Sequence, residues 1–188
     1  QQEFMEAAAE ACQENDALLV LDEVQSGMGR TGKFFAFEHY GVKPDIVALA
    51  KGLGGGVPIG AMLAREPAAS SFPPSNHAAT FGGTPVAAAA AGATLGAIRE
   101  EGLVDKAARM GEYFISKLCD LQSRNPVIDT VRGKGLMLGL DLGKPIAAQV
   151  KKTCFEKGLL VNIASEVTVR LIPALVITEE QTDQGMEV

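Results

Sequence analysis

The sequence predicts an α/β fold that gives way to a smaller α+β unit. Two short apolar runs, ALLVLD at residues 17–22 and DIVALA at residues 45–50, are continuous rather than alternating, which is how strands buried in a parallel sheet read. Segments with helical spacing flank them. Glycine clusters directly after each run, as 21 glycines in 188 residues allow, so the strands end in loops of little side-chain bulk.

Each element follows in order. Residues 1–15 place Phe4, Met5, Ala8, Ala9 and Cys12 on one helical face. Residues 17–22 form a strand that ends on Asp22, and residues 26–33 are a glycine-rich loop. Residues 34–40 make a short helix closed by Gly41. The strand at 45–50 ends at Lys51, GLGGGVPIG follows as a loop, and residues 59–64 are a third strand, so helices and parallel strands alternate through the first hundred residues. Residues 70–85 are irregular, and Pro85 opens a long alanine-rich helix. A helix at 104–121, strands at 127–131 and 136–142 flanking Gly133 and Gly135, a helix at 146–157, and strands at 159–163 and 167–172 complete the smaller unit. A last helix starts after Thr178, with Glu179 and Glu180 in its first turn. The boundary falls near Gly102, giving residues 1–102 and 103–188 as domains. The first residue is Gln1 and the last helix runs to the end, so the chain reads as a piece of a longer one.

Composition excludes several classes. Lys and Arg number 17 and Asp and Glu 23, a net charge of -6 with no basic block, which disfavours nucleic acid. Charged residues make up 21% and hydrophobic ones 47%, a globular balance. The apolar runs fall short of the roughly 18–20 residues that a membrane span needs. Cys12, Cys119 and Cys154 form no CxxC pair, and His39 and His77 are the two histidines, so no metal site is expected. Reduced thiols point to the cytoplasm.

The segment GMGRTGK, residues 27–33, spells both GxGxxG and GxxxxGK after a strand. Both readings fail on chemistry. Phe34 stands where a P-loop needs a hydroxyl for magnesium. Asp22 belongs to the same strand as the glycines, so one strand end would have to supply both sides of the metal site. For a dinucleotide site, Asp45 begins a strand where an acid is needed at a strand end.

The remaining constellation is Asp22 closing one strand, Gln25 just after it, and Lys51 closing the next. Ligands of open parallel sheets bind outside the carboxyl ends of strands. A carboxylate and an amine held at one rim suit pyridoxal 5′-phosphate: the lysine forms a Schiff base with the aldehyde, and the acid keeps the ring nitrogen protonated so that the ring draws electrons from the substrate carbon. Gly52, Gly54, Gly55 and Gly56 allow the backbone to approach such a ring closely.

The stretch LLVLDEVQSGMGRTGKFFAFEHYGVKPDIVALAKGLGGGVPIGAML, with ATFGGTP, VRGKGLMLGLDL and VRLIPALVIT, resembles the class III, ornithine-type aminotransferases of fold type I, and within them the acetylornithine branch. The resemblance spans essentially the whole chain and implies the later part of the large cofactor-binding domain followed by the small C-terminal domain. It gives Asp22 the pyridinium nitrogen, Gln25 the phenolic oxygen, Val24 one face of the ring, and Lys51 the Schiff base and the proton transfer between Cα and C4′. Thr80 contacts the cofactor phosphate from the neighbouring subunit of a homodimer. Arg170 pairs with the substrate α-carboxylate, a task its planar fork suits. The implied reaction is ping-pong transfer from an ω-amino donor such as N-acetylornithine to 2-oxoglutarate, as in arginine biosynthesis. The ornithine, 4-aminobutyrate and β-alanine aminotransferases and the semialdehyde aminomutase stay open, as does a fragment without catalysis. Two positions depart from the family pattern, Thr84 where it has Asn and Ala174 where it has Pro. The family's phosphate loop, ring-stacking aromatic and gating glutamate precede Gln1.

Overall fold

In a computed structural model that describes residues 2–188, the chain divides into two units, Gln1–Gly29 with Lys33–Gly102 and Arg30–Gly32 with Leu103–Val188. The first unit begins with α1 (Gln2–Glu14) and is built on a three-stranded sheet, β1 (Val20–Asp22), β2 (Ile46–Leu49) and β3 (Ala61–Ala64), in the order β1-β2-β3. A 3₁₀ turn at Ala36–His39 stands where the short helix was expected, and a second 3₁₀ turn, Lys51–Gly54, follows β2 directly. The unit closes with α2 (Pro85–Glu100), whose first residue is Pro85 and whose N-cap is Thr84.

Strands β1 and β2 are parallel, with Asp22 level with Ala48. The third strand departs from the expectation: β3 runs antiparallel to β2, pairing Leu49 with Ala61. Residues 50–60 are a 3₁₀ turn and loop, shorter than the dozen or more residues that a parallel crossover needs, so the chain can only double back. The apolar face of α1 also differs, because none of its residues is buried and Phe4 is 74% exposed. Nor is β1 buried on both sides. Leu19 is covered, but Val20 is 55% exposed at the sheet edge.

Asp45 knits the sheet together at the start of β2. Its carboxylate accepts the Leu19 N–H at 2.8 Å and Arg65 Nη2 at 2.9 Å. The Leu19 hydrogen bond first, and Arg65 after it, hold the Asp45 carboxyl below the usual carboxylate range.

The second unit contains α3 (Leu103–Arg124), β4 (Ile128–Lys134), β5 (Met137–Leu142), α4 (Ala147–Glu156), β6 (Asn162–Ile163), β7 (Thr168–Leu171) and α5 (Glu179–Met186). Its sheet is antiparallel in the order β4-β5-β7-β6. Ala107, Met110, Phe114 and Leu118 recur at helical spacing on α3 and pack on Leu138, Leu140 and Leu142 of β5 and Val169 of β7. On the sheet, Asp141 accepts from Arg132 Nη2 at 3.0 Å and from the Thr168 hydroxyl at 2.6 Å, and these bonds lower its pKa, Arg132 contributing most.

Helix α5 is fixed at its start by a capping box between Thr178 and Gln181. Along its length, Asp183 accepts the Tyr113 hydroxyl at 2.9 Å and Lys117 Nζ at 2.8 Å, both from α3. The Lys117 bond depresses the Asp183 pKa, and Asp183 in turn raises that of Lys117. The tie is therefore present at neutral pH. It is lost at low pH as Asp183 protonates through its depressed value, and at high pH as Lys117 loses its proton above the ordinary lysine range. Asp183→Ala is expected to speed amide exchange along α5 while leaving α3 protected, because an exposed pair holds its own element rather than the core. Equal exchange in variant and parent would refute this.

Among the described residues no helix is long and apolar enough to cross a membrane, and no group of His, Cys, Asp and Glu is placed to hold a metal ion.

Candidate active site

The first unit brings Asp22 and Lys51 to one edge. Both lie at the carboxyl ends of adjacent parallel strands, Asp22 as the last residue of β1 and Lys51 two residues beyond β2. This is where parallel sheets place ligands. The Asp22 carboxylate is oriented by its own loop, since Oδ1 accepts the Val24 N–H at 2.9 Å. That bond turns the chain sharply, so Val24 and Gln25, both half-buried, follow in the turn just past the strand end.

A residue that sequence reasoning passed over holds this turn. Glu23 is 3% exposed, and its carboxylate accepts the Ser26 hydroxyl at 2.6 Å and the Phe37 N–H at 2.9 Å. Its backbone takes part as well: the Glu23 N–H donates to Ala48 O at 3.0 Å and its carbonyl accepts the Gly27 N–H at 2.9 Å. Glu23 thus anchors the loop that carries Val24 and Gln25 to β2, the strand that leads to Lys51. A second acid directly after Asp22, with a serine three residues on, was the signal in the sequence.

Lys51 has a backbone φ of 46°, in the left-handed region that a side chain with a Cβ seldom adopts. Ala50 before it sits at φ −164° and ψ −149°. The next turn ends on Gly55 at φ 58°, where a Cβ would stand 2.6 Å from Thr94 Oγ1 of α2. Glycine at that position, with the buried Ala87 and Ala91 on α2, lets the helix lie close under the lysine turn. Lys51 lines an open concavity of about 620 Å³ together with Ala50, Gly56, Val57, Ile59 and Phe81.

Thr80 lies one residue before Phe81 on the exposed loop of residues 72–83. Arg170 belongs to the second unit, on β7, opposite Gly139 of β5 and Asn162 of β6. It is half-buried, and its Nε is the buried side-chain polar atom that has no hydrogen-bond partner among the described residues. Of the two departures from the family pattern, Thr84 caps α2 through its carbonyl, which accepts the Ala88 N–H at 2.9 Å, and Ala174 accepts the Ile177 N–H at 3.1 Å in the loop after β7.

The family described as Aminotransferase class-III matches residues 1–188, and the chain belongs to it. The acetylornithine aminotransferase of Caldanaerobacter subterraneus subsp. tengcongensis is 46% identical over 186 residues, which are 99% of this chain and 47% of that protein. Among solved structures, the N-acetylornithine aminotransferase of Stenotrophomonas maltophilia is similar with a TM-score of 0.88 and 38% identity, over 98% of this chain and 49% of that one. The ornithine aminotransferase of Plasmodium yoelii gives 0.91 and 34%, over 100% and 52%. The chain spans about half the length of the curated relatives it matches. The α/β unit followed by the smaller sheet unit is the architecture of fold type I transferases of this class.

Proposed function

We propose that the full-length protein is a pyridoxal-phosphate aminotransferase that moves an amino group from an ω-amino donor, N-acetylornithine, to 2-oxoglutarate. The observation that carries the reading is the pairing of Asp22 and Lys51 at the carboxyl ends of two parallel strands, with the carboxylate pinned and the lysine lining a concavity. The donor set suits the cofactor, because an amine, a fixed carboxylate and a nearby amide side chain are the groups its aldehyde, ring nitrogen and phenolic oxygen would engage. Pyridoxal phosphate supplies an aldehyde that takes the substrate amine and a ring that draws electrons from the carbon bearing it.

The protein's own groups do the rest. Asp22 would keep a proton on the ring nitrogen, and Gln25 would donate its amide to the phenolic oxygen. Val24 would pack against the ring face. Lys51 Nζ takes the proton from the carbon that bears the amine and delivers it to the cofactor side, then reverses the transfer for the 2-oxo acid. Arg170 pairs its fork with the α-carboxylate of 2-oxoglutarate and glutamate. The acetylornithine branch is preferred because curated acetylornithine aminotransferases are 42–49% identical to this chain, while among solved structures acetylornithine enzymes stand at 36–38% and ornithine enzymes at 34–36%. The free cysteines Cys12, Cys119 and Cys154 suit a reducing cytoplasm. The test is a half-reaction series on the full-length enzyme with N-acetylornithine, ornithine, 4-aminobutyrate and β-alanine. N-Acetylornithine should give the highest kcat/KM, and preference for another donor would move the protein to that branch.

The protein would act as a homodimer in which Thr80 reaches the phosphate held by the partner subunit. Loop 72–83 is exposed along its length, with Phe81 82% exposed and Val86 just beyond it at 73%. In an isologous pair each subunit completes the other's site. Mixing two inactive variants, Lys51→Ala and Thr80→Trp, is expected to restore about a quarter of the parent activity under random subunit exchange, since one heterodimer site carries both lesions and the other neither. Exchange without recovery would rule out the cross-subunit contact.

A further inference from the structure

The motif GMGRTGK plays no part in the chemistry above, yet its middle is packed backbone against backbone in the second unit. Arg30–Gly32 runs between α3 and the turn that joins β4 to β5. A Cβ on Gly135 would stand 2.4 Å from the Thr31 carbonyl carbon, and one on Gly32 would stand 2.9 Å from Ala108 Cβ. One on Gly111 would stand 2.3 Å from the Gly135 oxygen. The passage exists because Gly135 on its wall and Gly32 within it lack side chains, and Gly111 lets the Gly135 turn lie close on α3. Thr31 is 6% exposed inside it, and the Leu136 N–H donates to Arg30 O at 2.9 Å.

The Arg30 side chain continues inward. Its guanidinium is half-buried, a placement that pulls its pKa below the ordinary arginine value, and Nη1 donates to the carbonyls of Pro173 and Leu136. Pro173 lies three residues past Arg170. Strand β7 leaves its sheet at Leu171, the last residue paired with β5, and β6 reaches no further than Arg170. Proline has no N–H with which to extend the ladder. The exit of β7 is therefore held by Arg30. Arg170, at that exit, has a buried Nε without an acceptor among the described residues, so within this unit its fork is placed by packing and by the course of its backbone.

We propose that Arg30 is a positioning residue for Arg170, gripping the Pro173 carbonyl so that the Arg170 fork meets a substrate carboxylate in one fixed orientation. The proposal rests on the aminotransferase reading of Arg170. It gives the glycine-rich motif a task unlike phosphate binding: the motif threads an arginine to the strand that reads the carboxylate.

The test uses the full-length holoenzyme and glutarate, a five-carbon dicarboxylate with neither amine nor keto group, titrated by calorimetry. Arg30→Met is expected to weaken glutarate about tenfold, the scale of losing one hydrogen bond from a charged donor. KM for 2-oxoglutarate should rise about as much, with kcat, cofactor absorbance and KM for N-acetylornithine nearly unchanged, because the ω-amine of that donor reacts far from its α-carboxylate. Arg30→Lys, which keeps the charge and one donor, should fall between variant and parent, and it decides the matter if Arg30→Met does not fold. In an Arg170→Lys background the Arg30 substitution should add less than twofold, since the fork it positions is gone. Unchanged glutarate affinity in the Arg30 variants, a uniform rise in both KM values, or fully multiplicative effects in the double variant would each overturn the proposal while leaving the aminotransferase reading intact. Unchanged glutarate affinity in Arg170→Lys alone would overturn the reading itself.

Discussion

Lys51→Ala in the full-length enzyme is expected to lower transamination by about 10⁴-fold or more, the upper end of what one positioned acid–base group supplies, with the added loss of the covalent anchor. The fold should survive. Lys51 is exposed, and the packing of its turn is carried by the buried Leu53 and Gly54 rather than by the lysine side chain. Its backbone carries the cost instead. At φ 46° a residue with a Cβ is strained, and alanine is strained as lysine is. Lys51→Gly is therefore expected to be equally inactive but more stable than Lys51→Ala as apoprotein, by about 1 kcal/mol. Borohydride treatment of the parent followed by peptide mapping checks the chemistry directly. Cofactor mass on a peptide without Lys51, in enzyme that is active, would remove the lysine from its role.

Asp22→Asn should lower kcat by roughly 10²–10³-fold, a loss of about 3–4 kcal/mol of transition-state stabilisation. The amide keeps the shape and an acceptor for the Val24 N–H, so the turn that presents Gln25 stays in place. The charge proposed to hold a proton on the ring nitrogen is what disappears. A kcat within threefold of the parent would show that the carboxylate serves only the turn. Because Glu23 fixes the same turn through Ser26 and Phe37, the two acids are separable, one exposed at the strand end and the other buried.

The strands β1 and β2 were legible because a continuous apolar run closed by a charge has few other physical meanings. Helices α2 and α3 were legible from Pro85 and from apolar spacing. The direction of β3 was missed although the length of residues 50–60 carried it: a connection of that length is too short for a parallel crossover, and the alternation of the preceding elements was extended past it. The burial of β1 was over-read for a related reason: the run reports that both faces are suited to cover, whereas the structure holds cover on one. Asp22, Gln25 and Lys51 were proposed from their spacing alone, and the placing of Asp22 level with Ala48 at neighbouring strand ends needed the register. Glu23 and Arg30 escaped notice because their meaning lies in partners. The Pro173 carbonyl that Arg30 grips is 143 positions away, and local spacing carries no trace of it.

The half-covered sheet has a practical side. By register, Val20, Ile46 and Met62 share one face, and Val20 and Met62 are 55% and 47% exposed. Among the described residues β1 pairs on one edge only, so its other row of N–H and C=O groups faces outward beside that apolar surface. An open edge next to bare Val and Met is a template on which another extended chain can add itself. A net charge of -6 opposes such encounters at low salt and is screened at high salt. The 188 residues, prepared alone, are therefore expected to self-associate through β1 more readily at high salt, and Val20→Lys to reduce this; light scattering that stays flat with salt would refute it.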